Sequence, residues 1–393
     1  MKWVPDEEIL GRITRLKERM EGIDAILILQ NIDMYYFSGT VQQGFLFIPA
    51  KGEPMFFVRR IPERAKEETP IKVVPIRGLK EAGKIFSDYK ARVVGFEFDV
   101  VPVSTFRKYT KLFPDAEFVD ISGTIRDLRK IKSDFEVEKI NRAAKITAVV
   151  LEEVKSYLRR GMTEWELISL IDYLARLKGH LGPTKMRAFG QELFFGHVLS
   201  DESGGVSAFA DAPTGGFGIH PTLGHGATNR PLKENVPIDV DFMVNFEGYL
   251  SDQTRIFVIG KISEKMRSAY EFTRELLYKL ENLIRPDITA GEIYDFAVKE
   301  AEKVGYGEFF MGYGRYRVSF VGHGVGLEVD EYPFIAKGFD MKLEPGMVFA
   351  LEPKLIFPGE GMVGIENTYL VTETGFEKLT TSPEEIHFVK WAE

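Results

Sequence analysis

Apolar residues recur three or four positions apart at Ile9, Ile13, Leu16 and Met20, which predicts a helix over residues 6–21. The apolar run that follows, residues 24–29, reads as a buried strand. GFLFIPA then leads through Lys51-Gly52 into EPMFFVRR, the pattern of two strands joined by a tight turn. Further strand patterns lie at 71–76, 93–98 and 117–121, with helical stretches at 78–89 and 102–112. Strand alternating with helix describes a small α/β domain, bounded near residue 130. Beyond it, Ser133 with Glu136 three residues later is a capping-box signature for a helix running to Gly161. Helical periodicity returns at 163–178, 262–285 and 289–304, separated by strand-like runs and by Gly-rich loops at 214–226 and 322–326. The pattern therefore predicts an α+β second domain over residues 131–393 behind the N-terminal domain of residues 1–130.

Composition narrows the function classes. The chain is 44% hydrophobic and 28% charged, as a soluble globular protein is, and no run of about 18 apolar residues suggests a membrane span. Absence of cysteine excludes disulfides, thiolate metal sites and cysteine nucleophiles. The charged, helix-like N-terminus lacks the apolar segment of a signal peptide, so a cytoplasmic location is expected. A net charge of −8 without long basic stretches argues against nucleic acid as a partner.

Five residues of the second half carry metal-ligand chemistry: Asp241 and Asp252 in DVDFMVNFEGYLSDQTR, His323 in FVGHGVGLEVDEYP, Glu352 in FALEPK and Glu366 in VGIENTYLVTE. Four carboxylates brought together would repel strongly in a low-dielectric site, and two divalent cations would balance them. Asp241 and Asp252 are 11 residues apart on two strand-like runs, so a hairpin could set them opposite one another, with Thr254 on the same face to orient Asp252. Glu352 and Glu366 sit in apolar contexts, where an isolated carboxylate is costly to bury unless paired or metal-bound. Oxygen-rich ligands with one imidazole suit Mn or Co, with Fe or Zn as further candidates.

In type, order and local text (GYLSDQTR, GHGVGLE, EPK, GIEN…LVTE), these five positions resemble the pita-bread metallopeptidases: methionine aminopeptidase, Xaa-Pro aminopeptidase, prolidase and the related creatinase. RLKERMEGIDAILILQNIDMYYFSGT resembles the start of the creatinase-type N-terminal domain, so the resemblance spans nearly the whole chain. It implies a pita-bread catalytic domain and a dinuclear exopeptidase that hydrolyses the bond before proline. Asp252 and Glu366 would bridge two metals, Asp241 would bind one, and His323 and Glu352 the other. A bridging water or hydroxide would be the nucleophile, with Glu352 handling its proton. The resemblance also implies a homodimer, with the N-terminal domain of one subunit helping to wall the other's site.

The chain departs from the family pattern in two places. Asp330 stands seven residues after His323, where the peptidases usually carry a histidine that contacts substrate or the tetrahedral intermediate. An ionised aspartate cannot donate a hydrogen bond there. Gly364 stands where prolidases tend to carry an arginine, so strict dipeptide specificity is in doubt; Arg187, Arg255, Arg315 and Arg317 are possible substitutes. Of the loop histidines, His225 is placed to act in the site, with His220 in reserve, and His197 could line the pocket. His180 and His387 read as structural or surface residues. A second reading keeps the metals and changes the reaction to hydrolysis or lysis of a small non-peptide substrate, with Asp330 pairing a cationic group. A third, a binding protein on the same fold, fits poorly with retention of all five ligands.

Overall fold

The computed structural model describes residues 2–86, 89–190 and 196–392. It divides into two compact units, Met1–Arg129 with Ala188–Gly190, and Lys130–Arg187 with Gln191–Glu393.

The first unit runs α1 (Asp6–Lys17), β1 (Ala25–Ile28), α2 (Asn31–Ser38), β2 (Gly44–Pro49), β3 (Met55–Val58), α3 (Pro62–Glu68), β4 (Lys72–Pro75), α4 (Leu79–Ile85), β5 (Val93–Phe96), α5 (Val103–Tyr109), β6 (Glu117–Asp120) and α6 (Ser122–Arg129). Its six strands form one mixed sheet in the order β4-β3-β2-β1-β5-β6. The β2–β3 hairpin turns at Lys51-Gly52 as expected, with Gly52 at φ 102°. Helix α1 ends at Lys17, short of its predicted extent, and Met20 is buried from the turn that follows. Phe45, Phe47, Phe57, Phe86 and Phe113 fill the core. Buried polar groups of this unit include Arg12, Glu97 and the pair in which Arg129 Nη1 donates to Asp33 Oδ1 at 2.7 Å.

The second unit opens with α7 (Asp134–Glu153) and α8 (Glu164–Leu177). Both begin with a capping box, Ser133 with Glu136 and Thr163 with Glu166, which satisfies backbone N–H groups that the first turn leaves unbonded. Helix α7 stops at Glu153, earlier than its periodicity predicts, and a 3-10 turn over Val154–Tyr157 takes the chain onward. There follow β7 (Gly196–Ser200), β8 (Pro237–Phe246), β9 (Tyr249–Ile259), α9 (Glu264–Glu281), α10 (Ala290–Lys303), β10 (Phe320–Val325), β11 (Val329–Ala336), β12 (Val348–Leu351), β13 (Lys354–Phe357), β14 (Gly361–Gly364), β15 (Asn367–Val371), β16 (Phe376–Lys378) and β17 (His387–Val389). They form sheets ordered β11-β10-β12-β15-β16 and β17-β9-β8-β7, with β13 and β14 as a separate ribbon.

Strand periodicity of two sorts the faces. On β8, Ile238, Val240, Phe242 and Val244 pack with Ala143, Val150, Leu167 and Ile171 of α7 and α8. Helices α9 and α10 cover the other sheet, where Tyr270, Leu277, Ile293 and Ala297 share a core with Phe349, Leu351 and Tyr369. The polar positions of β8 and β9, Asp239, Asp241, Asp252 and Thr254, are left facing the interior between these layers, all buried.

Candidate active site

The β8–β9 hairpin forms, but its register pairs Asp241 with Thr254 and Met243 with Asp252. The two aspartates are therefore diagonal neighbours on one face rather than directly opposite. Thr254 correspondingly does not serve Asp252 as expected: its Oγ1 donates to Glu366 Oε2 at 2.7 Å. His323 enters from β10, in register with Ala350 of β12. Its flanking glycines answer a steric demand, since a Cβ on Gly322 would lie 2.2 Å from the Ala350 carbonyl oxygen and one on Gly324 2.4 Å from that of Glu331. Glu352 follows β12, and Glu366 links β14 to β15.

All five candidate ligands are buried and line one cavity of about 110 Å³. His323 Nε2 stands 3.7 Å from Asp252 Oδ2, 3.8 Å from Glu352 Oε1 and 3.7 Å from Glu366 Oε1. Those separations are too long for hydrogen bonds. They suit a cation held between the atoms, since ligands about 2.1 Å from one ion lie roughly 3.4 Å apart in a tetrahedral arrangement. Glu366 Oε1 is buried and has no hydrogen-bond donor among the described residues, which a cation would also answer. The donor set on the His323 side thus fits a divalent metal.

Lys354, the first residue of β13, stands among the same ligands. Its Nζ donates to Asp241 Oδ2 at 2.8 Å and Glu352 Oε2 at 2.7 Å, and approaches Glu366 Oε2 at 3.5 Å. Lys354 carries no metal-site signature in the sequence, because a lysine in a strand normally carries its ammonium to water. The available signal was its spacing: two residues from Glu352, it falls on the same face. Asp239 was missed likewise, two residues before Asp241; its Oδ2 lies 3.1 Å from His197 Nε2.

Electrostatics follow from this crowding. Burial raises Asp252 well above the usual carboxylate range, and the Glu366 and Asp241 charges add to it. Burial likewise lifts Glu366, to about 7, with Lys354 opposing the shift. Burial alone would depress Lys354, but Asp241, Glu352 and Glu366 carry it well above the ordinary lysine value. Burial also works against a charged His323, and Asp330, Glu352 and Glu366 outweigh it, raising that histidine.

The remaining sequence candidates divide. His197 and His225 both line the cavity. His197 adds a 3.7 Å approach to Asp241 Oδ2, and the His225 ring lies 5.1 Å from that of Phe209. His220 sits in an exposed turn with Nδ1 bonded to Thr222, away from the cavity lining. Asp330 lines the cavity on the outer side of His323, its Oδ1 3.7 Å from Nδ1. The contact at hydrogen-bond distance on that nitrogen is the Gly324 carbonyl oxygen, 3.4 Å from His323 Nδ1. Gly364 is the register partner of Lys354, and a Cβ there would meet Lys354 Cγ at 2.4 Å. None of the four arginines lines the cavity: Arg255 is buried against Glu366 O, Ser382 O and Asn367, Arg317 donates to Phe310 O, Arg315 to Tyr316, and Arg187 faces Glu328. The cation nearest Gly364 comes instead from the opposite strand. His180 and His387 are buried elsewhere, bonded to Asn245 N and Pro383 O.

Residues 138–373 match metallopeptidase family M24, and residues 12–131 match the creatinase/prolidase N-terminal domain. The chain belongs to metallopeptidase family M24. Its relatives in this family include the Xaa-Pro dipeptidase of Pyrococcus furiosus, 29% identical over 383 residues that cover 94% of this chain and 100% of that one. Among solved structures, an Xaa-Pro dipeptidase from Bacillus anthracis superposes with a TM-score of 0.84 at 28% identity, covering 97% of this chain and 100% of that one. An X-Pro aminopeptidase from Thermotoga maritima superposes at 0.82 with 27% identity, covering 95% and 99%. The fold is the family's pita-bread catalytic domain behind a creatinase-type N-terminal domain, and membership implies divalent metal.

Proposed function

We propose that this protein is a metal-dependent exopeptidase that cleaves the peptide bond before proline. The observation that carries the reading is the convergence of His323 Nε2 on three carboxylates at 3.7–3.8 Å, with Glu366 Oε1 lacking a donor among the described residues, inside a chain that aligns over 94% of its length with an Xaa-Pro dipeptidase. Asp252, His323, Glu352 and Glu366, with Asp241 beside them, are the residues to hold divalent metal; Mn or Co suits them, and Fe or Zn is compatible. When bound, the metal supplies a water of lowered pKa and polarises the scissile carbonyl. Glu352 lies on the cavity wall as the base for the proton that water releases. Burial favours a neutral His225, which can offer a ring N–H to the substrate carbonyl, and His197 is fixed by Asp239 at the same wall. Asp330 stands on the same wall, 3.7 Å from His323 Nδ1. Met186, Met243, Val329 and Phe320 give the cavity an apolar side for the proline ring.

The protein is further expected to be a cytoplasmic homodimer with its N-terminal domain over residues 1–130; no helix among the described residues is long and apolar enough to cross a membrane. The similarity to named Xaa-Pro dipeptidases favours this reading over turnover of a small non-peptide substrate. The test is hydrolysis of Xaa-Pro peptides, from dipeptide to pentapeptide, by protein loaded with Mn²⁺ or Co²⁺. Cleavage before proline that stops on chelation is expected, with Glu352→Gln lowering kcat by about 10²–10⁴ while the fold survives. Metal-loaded protein that leaves every peptide intact would overturn the proposal.

A further inference from the structure

We propose that the ammonium of Lys354 fills one cation position of this centre, so that the site takes a single divalent metal, held by Asp252, His323, Glu352 and Glu366. The inference rests on the metallopeptidase reading and reduces to one the two metals that the sequence resemblance implies.

Lys354 offers three N–H donors, and three carboxylates face them: Asp241 and Glu352 at hydrogen-bond distance and Glu366 at 3.5 Å. A metal bound to Asp241 Oδ2 and Glu352 Oε2 would need to stand about 2.1 Å from oxygens that now lie 2.7–2.8 Å from Nζ. Ion and ammonium would then claim the same space, and their like charges would repel across a buried site.

The lysine has little room to withdraw. Its side chain is 3% exposed, and its stem lies against Gly364 so closely that even a methyl group there would overlap Cγ. The neighbouring strand thus has a glycine where the lysine stem passes.

Glu366 divides the two positions. Its Oε2 is engaged by Thr254 and approached by Lys354, whereas Oε1, on the His323 side, has no donor among the described residues. One oxygen is served by the protein's own groups, and the other faces the His323 side, where a cation would meet it. Asp241 then becomes the partner of Lys354 rather than a metal ligand.

The experiment is a count of tightly bound Mn²⁺ per chain by elemental analysis, after loading the full-length protein and removing free ion. It is paired with the electron paramagnetic resonance signal of the bound ion. One Mn²⁺ with the spectrum of an isolated ion is expected for the wild type. Asp241→Asn should still bind one, His323→Ala should lose it, and Lys354→Ala should gain a second with exchange coupling between the two. Two coupled ions in the wild type, falling to one in Asp241→Asn, would overturn the inference, as would a wild type that binds none. If Lys354→Ala does not fold, the wild-type and Asp241→Asn counts decide alone. Peptide cleavage is read separately: one Mn²⁺ without cleavage overturns the substrate assignment alone, and two with cleavage overturns this inference alone.

Discussion

At the scale of single residues, Lys354 and Gly364 explain each other. Burying an ammonium is costly unless charges meet it, and Asp241, which meets it here, lies 113 residues away in sequence. This is why the pair was illegible beforehand: Lys354 read as a solvated lysine, and Gly364 as a missing arginine. The five ligand positions were legible because each carried its own local text; Lys354 and Asp239 acquire meaning only through partners that folding supplies. Gly364→Ala tests the pairing. Its methyl group would overlap the Lys354 stem, and overpacking of this kind costs about 1–3 kcal/mol. A lower urea midpoint is therefore expected, together with weaker Mn²⁺ binding as the ammonium is displaced toward the ligands. A substitution neutral in both measurements would mean that the stem is free to move.

At the scale of elements, periodicity located the strands and helices that position the site, while register and helix ends escaped it. The two-residue turn Glu247-Gly248, both at positive φ, sets the observed register of Asp241 opposite Thr254; hydrophobic periodicity does not separate it from Asp241 opposite Asp252, since both place the acids on one face. Helix α8 shows how an element anchors site loops. Glu164, in its first turn, is buried and accepts from Ser200 N at the end of β7, from Ser203 Oγ, and from Thr228 N and Oγ1 just beyond His225. Its position is therefore set by two segments that carry cavity histidines. Glu164→Ala leaves two buried backbone N–H groups without acceptors, at about 1–3 kcal/mol each. We expect a loss of about 2–5 kcal/mol in urea unfolding, with Glu164→Gln retaining more stability because its amide oxygen can still accept. Equal effects of the two substitutions would count against this role.

At the scale of the whole molecule, stability should fall on mild acidification, and two histidines remote from the metal ligands contribute. His180 is buried with Nδ1 accepting from Asn245 N; burial depresses its pKa to about 4, with Asp172 and Arg176 as opposing nearby charges. His387 packs 5.0 Å from the Phe257 ring and is likewise lowered by burial to about 4, with Lys155 adding to the shift. In the unfolded chain both titrate near 6.5, so between those values the unfolded state binds more protons and is favoured as pH drops. The stabilisation is complete above pH 6.5, declines as pH falls toward 4, and changes no further below that. Each histidine accounts for about 3 kcal/mol of the decline. Comparing urea midpoints at about pH 7 and about pH 4.5 isolates the effect, because the carboxylates titrate alike in wild type and variant. His180→Gln should lower stability at neutral pH yet lose about 2 kcal/mol less than the wild type on acidification. An identical acid loss in both proteins would show that the folded state does not hold His180 below its ordinary pKa.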